Sequence, residues 1–344
     1  MRNGDVLAVV SQSGPTVSFY DAITHQPLGT LELPSEPHEL CFDPEHRVLY
    51  CAITYRSGYY GENMGRAHEI AVIDADAREI VEVVDIAPEH GPHGLALDAE
   101  NRRLYVSVEA GPAGPGAVVV LDTKTRKQIG RIDTGAPGPH WFAITPDGRR
   151  GYASNKEAPF VSVVDLEASR LLHQVPVPGS EGIAVTPDGK HVCVATPKAE
   201  FDGATVAPTG IEVIDTETNA IVRTIRTEDP VFSVNVTSAG TLLVGGLRFA
   251  GGPALGRQGP GRLLSYAPGT YEPLGSAEVG SFPLTIASSP DGTRAYVSAV
   301  ASSTVSVIDL ETHRTLATLP IDRRGEPGAH GLAYIPVGRG CLGS

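Results

Sequence analysis

Apolar residues come in short runs along this chain, each closed by a polar turn, and the runs are too brief for helices. A strand ending in Asp recurs as VSFYD (17–21), IAVID (70–74), VVVLD (118–122), VSVVD (161–165), IEVID (211–215) and VSVID (305–309), with a degenerate copy, LLSYA, at 263–267. After six of these copies stands a turn such as DTKTRK or DLETHR, in which Asp caps backbone N–H groups, and then another strand such as KQIGRID. That is a hairpin. A second hairpin precedes each copy in most units, as in HGLALDAENRRLYVSVE, EGIAVTPDGKHVCVAT and LTIASSPDGTRAYVSAV. Each repeat therefore holds four antiparallel strands in roughly 43 to 53 residues.

The ends of the chain complete one another. Residues 5–32 supply only the last three strands of a unit, and 330–336 (HGLAYIP) supplies a lone first strand. Pairing them hides edges that an open array would leave exposed. The pattern predicts an all-β fold: a seven-bladed β-propeller of four-stranded antiparallel blades, one domain over 1–344, closed by the N-terminal strands pairing with a C-terminal strand.

Composition narrows the partners. Lys and Arg total 27 against 40 Asp and Glu, a formal charge of −13, so no basic footprint exists for nucleic acid. The 39 glycines and 28 prolines are spread throughout, as many turns require. The opening MRNGDVLAVVSQSG lacks the length of a signal h-region or a membrane span, so a cytoplasmic protein without a membrane partner is expected. Cys41, Cys51, Cys193 and Cys341 show no CxxC spacing and read as free thiols.

The segments TPDGRRGYASN…VSVVD and SPDGTRAYVSA…VSVID resemble the YVTN-type, or YncE-like, propeller repeat family over nearly the whole chain. The resemblance implies the seven-bladed fold. Relatives of similar architecture include lactonases, lyases and binding proteins, so chemistry must be argued from the site.

Aligning the first strands six residues before the turn proline gives a column of His38, His93, His140, Glu181, Phe232, Leu284 and His330. First strands line a propeller's channel, so these residues converge at one mouth. Imidazole and carboxylate suit Zn, Fe, Cu or Mn, which makes His38, His93, His140 and His330 the expected ligands of a divalent metal ion. Glu181 serves as a fifth ligand, an acceptor orienting a histidine, or the general acid/base. Phe232 and Leu284 form an apolar wall facing that arc. Strict strand alternation argues otherwise, because it puts His38 on one face with Leu40 and Phe42, between blades. The alternative to a metal is a ring of hydrogen-bonded polar groups around water.

Connections after the second strands lengthen at 54–69, 196–210 and 245–261, building a cup over the same mouth. The first carries Arg56, Tyr59, Tyr60, Arg66 and His68, with His68 a candidate proton donor and the others candidate substrate contacts. Glu109, Lys156, Arg248 and Arg257 also reach toward this rim, whereas His25, His173 and His313 fall near hairpins on the other side and read as surface residues.

These features together point to a metal-dependent enzyme acting on a small polar or carboxylated molecule in the channel, by lactone hydrolysis or by elimination as in a lyase. A mononuclear iron or copper oxidase with a four-histidine site is the first alternative, similar in ligand set to the carotenoid-cleavage oxygenases. A non-catalytic propeller that binds a ligand or protein is the second.

Overall fold

Every repeat folds as a four-stranded antiparallel sheet, and seven such sheets make a ring. The computed structural model describes residues 4–58, 63–196, 209–248, 258–324 and 328–337. No described residue is helical, and no helix long and apolar enough to cross a membrane occurs among them. Six blades are continuous in sequence, with first strands at Glu36–Asp43, His90–Asp98, Pro139–Ile144, Ile183–Val185, Val231–Val236 and Pro283–Ser288. The seventh joins Ala329–Ile335 to Val6–Ser11, Thr16–Asp21 and Pro27–Glu32, as the termini predict.

The turns use the expected chemistry. Asp21 Oδ1 accepts the amides of Ile23 and Thr24 at 2.9 and 2.6 Å, and Asp215 and Asp309 accept those of Thr218 and Thr312, each at 2.8 Å. The second strand of a blade, such as Val48–Tyr55, is buried along its length because each face meets a neighbouring blade. Leu49, Cys51 and Ile53 pack toward the closing blade, while Val48 and Tyr50 of the same strand pack toward Leu104 and Val106 of the next. Seven apolar clusters of this kind lie between successive blades and close the ring. Outer strands such as Glu79–Asp85 are mostly exposed.

Two of the histidines expected at the surface are only partly exposed. His313 is half-buried between blades, its Nε2 2.6 Å from Ser265 Oγ, and His25 is half-buried as well; His173 is exposed. Single-strand patterning cannot see a neighbouring blade's hydroxyl.

Candidate metal centre

The first strands do not alternate strictly through the histidine column. Their pairing with the second strands shifts register between Pro37 and Leu40, Pro92 and Leu95, Pro139 and Phe142, and Val231 and Val234. Ala329–Ile335 shifts likewise against Val6–Ser11. A bulge inserts an extra residue and re-aims the side chains beside it. The parity that would bury His38 between blades with Leu40 is broken at that point. Gly94 shows how closely the inner strands then approach: a Cβ there would lie 2.7 Å from both the His140 carbonyl oxygen and the Phe142 nitrogen.

As a result the four imidazoles meet. Ring centroids lie 3.8 Å apart for His38 and His330, 4.7 Å for His38 and His93, and 4.5 Å for His93 and His140. All four side chains are buried. Their donor atoms form two overlapping groups, His38 with His93 and His140, and His38 with Glu39 and His330, the atoms of each lying within 4.8 Å of one another.

A carboxylate stands behind each part of the cluster. Glu109 Oε1 is 3.0 Å from His93 Nε2 and accepts the Tyr55 hydroxyl at 2.9 Å, while its other oxygen pairs with Arg66. Glu181 Oε2 lies 3.7 Å from His140 Nδ1 and 3.8 Å from Lys156 Nζ. Glu39 Oε1 lies 3.3 Å from His330 Nδ1 and accepts the indole N–H of Trp141 at 3.1 Å. Against these stands an apolar wall in which Phe232 and Leu284 pack with Phe282, Leu247 and Val300.

Burial sets the protonation of the rings. Desolvation holds His38 and His140 well below the ordinary histidine value, and the charges of neighbouring imidazoles and Lys156 add to it. Desolvation also lowers His93, with Glu109 opposing. Burial alone would raise the Glu109 carboxyl, but the hydrogen bonds from His93 and Tyr55 and the charge of Arg66 bring it below its usual range. Neutral imidazoles keep the lone pairs that a metal needs. Among the described residues, both ring nitrogens of His140 and the Nδ1 atoms of His38 and His330 are buried without a hydrogen-bond partner. Buried polar atoms rarely stay unsatisfied, so this donor set fits a cation.

The loop candidates divide. Arg56 pairs with Glu69 at 2.6 Å, and His68 bonds Asp85 through Nδ1 at 2.8 Å and approaches Arg56 through Nε2 at 3.3 Å. Both nitrogens of His68 are thus engaged on the rim. Arg66 and Glu109 line a cleft of about 490 Å³ with Asn63, Pro137 and Glu157. Arg248 pairs with Asp229 and Glu278 at 3.9 and 3.8 Å. Tyr59, Tyr60 and Arg257 lie outside the described residues.

The repeat pattern does not single out Glu39, Tyr55, Trp141 or Phe282. The position after the column carries a signal for two of them: it is Gly94, Gly182 and Gly331 in three blades, but Glu39 and Trp141 in two others. The glycines lie against the backbone of the neighbouring first strand, whereas Glu39 and Trp141 reach one another through their side chains.

No family model matches the chain. Two curated relatives, the uncharacterized protein YncE of Salmonella typhi and that of Salmonella typhimurium, are each 23% identical over 216 residues, 61% of this chain and 54% of the relative. The chain thus spans about half the length of the curated relatives it matches. Among solved structures, Kuenenia stuttgartiensis hydrazine synthase superposes with a TM-score of 0.69 at 19% identity, covering 87% of this chain and 90% of that one. A functionally unknown protein from Desulfotomaculum acetoxidans superposes with a TM-score of 0.70 at 13% identity, covering 96% and 98%. At such identities the likeness is one of fold.

Proposed function

We propose that this seven-bladed propeller, similar in part to YncE, is a metal-dependent enzyme acting on a small polar or carboxylated molecule at its axis. The observation that carries this reading is the convergence of His38, His93 and His140 around buried ring nitrogens of His140 that have no hydrogen-bond partner among the described residues. Those three imidazoles would hold the ion, with His330 and Glu39 beside them. An imidazole set without thiolate suits Zn, Cu or Fe, and Mn where the Glu39 carboxylate joins it.

When bound, the ion supplies a Lewis acid for a carbonyl or leaving-group oxygen, the chemistry of ester hydrolysis or elimination. The protein's own groups do the rest. Glu109 sets the orientation of the His93 ring and is itself held by Tyr55. Glu181 beside His140, and Glu39, held by the Trp141 indole beside His330, are the carboxylates that would take a proton next to the cluster. The wall of Phe232 and Leu284 keeps water from one side.

A second reading, a redox enzyme using iron or copper, draws on the same all-imidazole triad. The identity of the retained metal separates the two. Tag-free protein prepared without chelators is expected to hold stoichiometric metal by elemental analysis, and His140→Ala is expected to lose it while keeping its circular dichroism. Protein that takes up no metal, or a variant whose metal content is unchanged, would overturn the reading.

A further inference from the structure

The metal reading above underlies one more step: we propose that the axial site selects a small organic anion with a flat apolar body, its charged end facing Lys156 and its body against the Phe232, Phe282 and Leu284 wall. Charge is the first argument. Beside the imidazoles stand the ammonium of Lys156, 3.8 Å from Glu181, and the guanidinium of Arg66, paired with Glu109. A divalent ion held by the imidazoles would add positive charge next to that ammonium in a water-poor site, where an anion gains and a cation loses.

Lys156 points that charge at the wall. Its side chain is 8% exposed, and Nζ lies 3.8 Å from Glu181 and 6.0 Å from the centre of the Phe232 ring. Ammonium and aromatic face thus stand together at the edge of the imidazole cluster.

The third argument is backbone strain at Phe282. This residue has φ of 61°, in the left-handed region that bulky side chains avoid. It stands two positions before the column residue, where two other blades place Gly91 and Gly179 at φ of 55° and 50°. Glycine there adopts this turn freely. An aromatic ring carried at that cost packs edge-on to Phe232 at 5.2 Å, and Phe232 in turn meets Trp141 at 5.7 Å. Aromatic walls of this kind favour flat apolar groups over single methyls.

Trp141 is the chain's one tryptophan and lies 4.1 Å from the His140 ring, so its emission reports on the site. Benzoate, acetate and benzylamine are titrated into zinc-loaded protein whose zinc content is measured in the same sample. Benzoate is expected to shift the emission saturably and to bind at least tenfold more tightly than acetate, with no response to benzylamine. Lys156→Met is expected to weaken benzoate tenfold or more with zinc retained, Lys156→Arg to preserve it, and Phe282→Gly to narrow the preference for benzoate over acetate. Zinc-loaded protein that ignores benzoate, accepts benzylamine equally well, or binds benzoate undiminished in Lys156→Met overturns this inference alone. Where the protein takes up copper, iron or manganese in place of zinc, the same titrations are read on that form, and a sample that takes up none of the four overturns the metal reading beneath it.

Discussion

The Trp141 indole donates a hydrogen bond to the Glu39 carboxylate at 3.1 Å, joining two blades separated by a third. Glu39 Oε1, the oxygen that accepts this bond, also faces His330 Nδ1 at 3.3 Å, so the bond holds the carboxylate against that imidazole. Residues that orient metal ligands typically contribute about 10- to 100-fold in metal affinity. Glu39→Gln and Trp141→Phe are therefore each expected to weaken zinc binding within that range, measured by competition with a chromogenic chelator. Unaltered affinity in both variants would remove Glu39 from the site.

Close approach of the inner strands predicts a sharp contrast between two glycines. Alanine at Gly94 would press its Cβ on backbone atoms of His140 and Phe142 at 2.7 Å, and overpacking of that kind costs about 1–3 kcal/mol. Alanine at Gly130 would meet Val120 Cγ2 at 3.4 Å, an ordinary contact, with an expected change of at most ~1 kcal/mol. Denaturant midpoints of Gly94→Ala and Gly130→Ala test this, and equal midpoints would contradict the strand spacing.

Acid acts on the metal-free protein in two stages. His38 and His140 are held neutral by burial, so the unfolded chain binds their protons first as pH falls through the ordinary value of 6.5, and stability declines from there downward. The turn aspartates shift the other way. Hydrogen bonds from the hydroxyl and amide of Thr218 hold Asp215 below its ordinary 3.8, and Thr312 does the same for Asp309. Their contribution is complete above pH 3.8 and drains as pH falls through the lowered values. Melting temperatures from pH 8 to 2 should show both limbs, and Asp215→Asn should shrink only the second. A flat profile between pH 7 and 5 would argue against buried neutral imidazoles.

Thiol chemistry offers a test of the blade interfaces. Burial pushes the thiols of Cys41 and Cys193 up to about 12, and burial raises that of Cys51 as well. Since the thiolate is the reactive species, alkylation of these three at pH 8 is expected to be at least about 100-fold slower in the folded protein than in urea. Peptide mapping after iodoacetamide treatment reads each site separately. Labelling of Cys51 at the rate of a free thiol would show that the interface between the first and closing blades opens readily.

Much of the architecture follows from patterns local to a few residues. VSVVD and VSVID reveal strands that are apolar on both faces, Asp at their ends marks the turn, and the counting of such units yields seven blades. The half-repeats at 5–32 and 330–336 reveal closure, because an unpaired strand edge must find a partner. The column of His38, His93, His140 and His330 is legible for the same reason: repeats align, so equivalent positions come to equivalent places around a ring.

The sequence alone determined the number of blades, how the ring closes and which histidines occupy equivalent places around it, since strand period and turn chemistry operate between neighbours in the chain. Tertiary structure decided the rest. Glu39 meets Trp141 across 102 positions only because bulges rotate both side chains inward and Gly94 lets the strands between them close up. His68 is taken by Asp85 and Arg56 on the rim for a related reason: side-chain partners depend on distances of a few ångströms between blades, which no spacing along a single strand encodes.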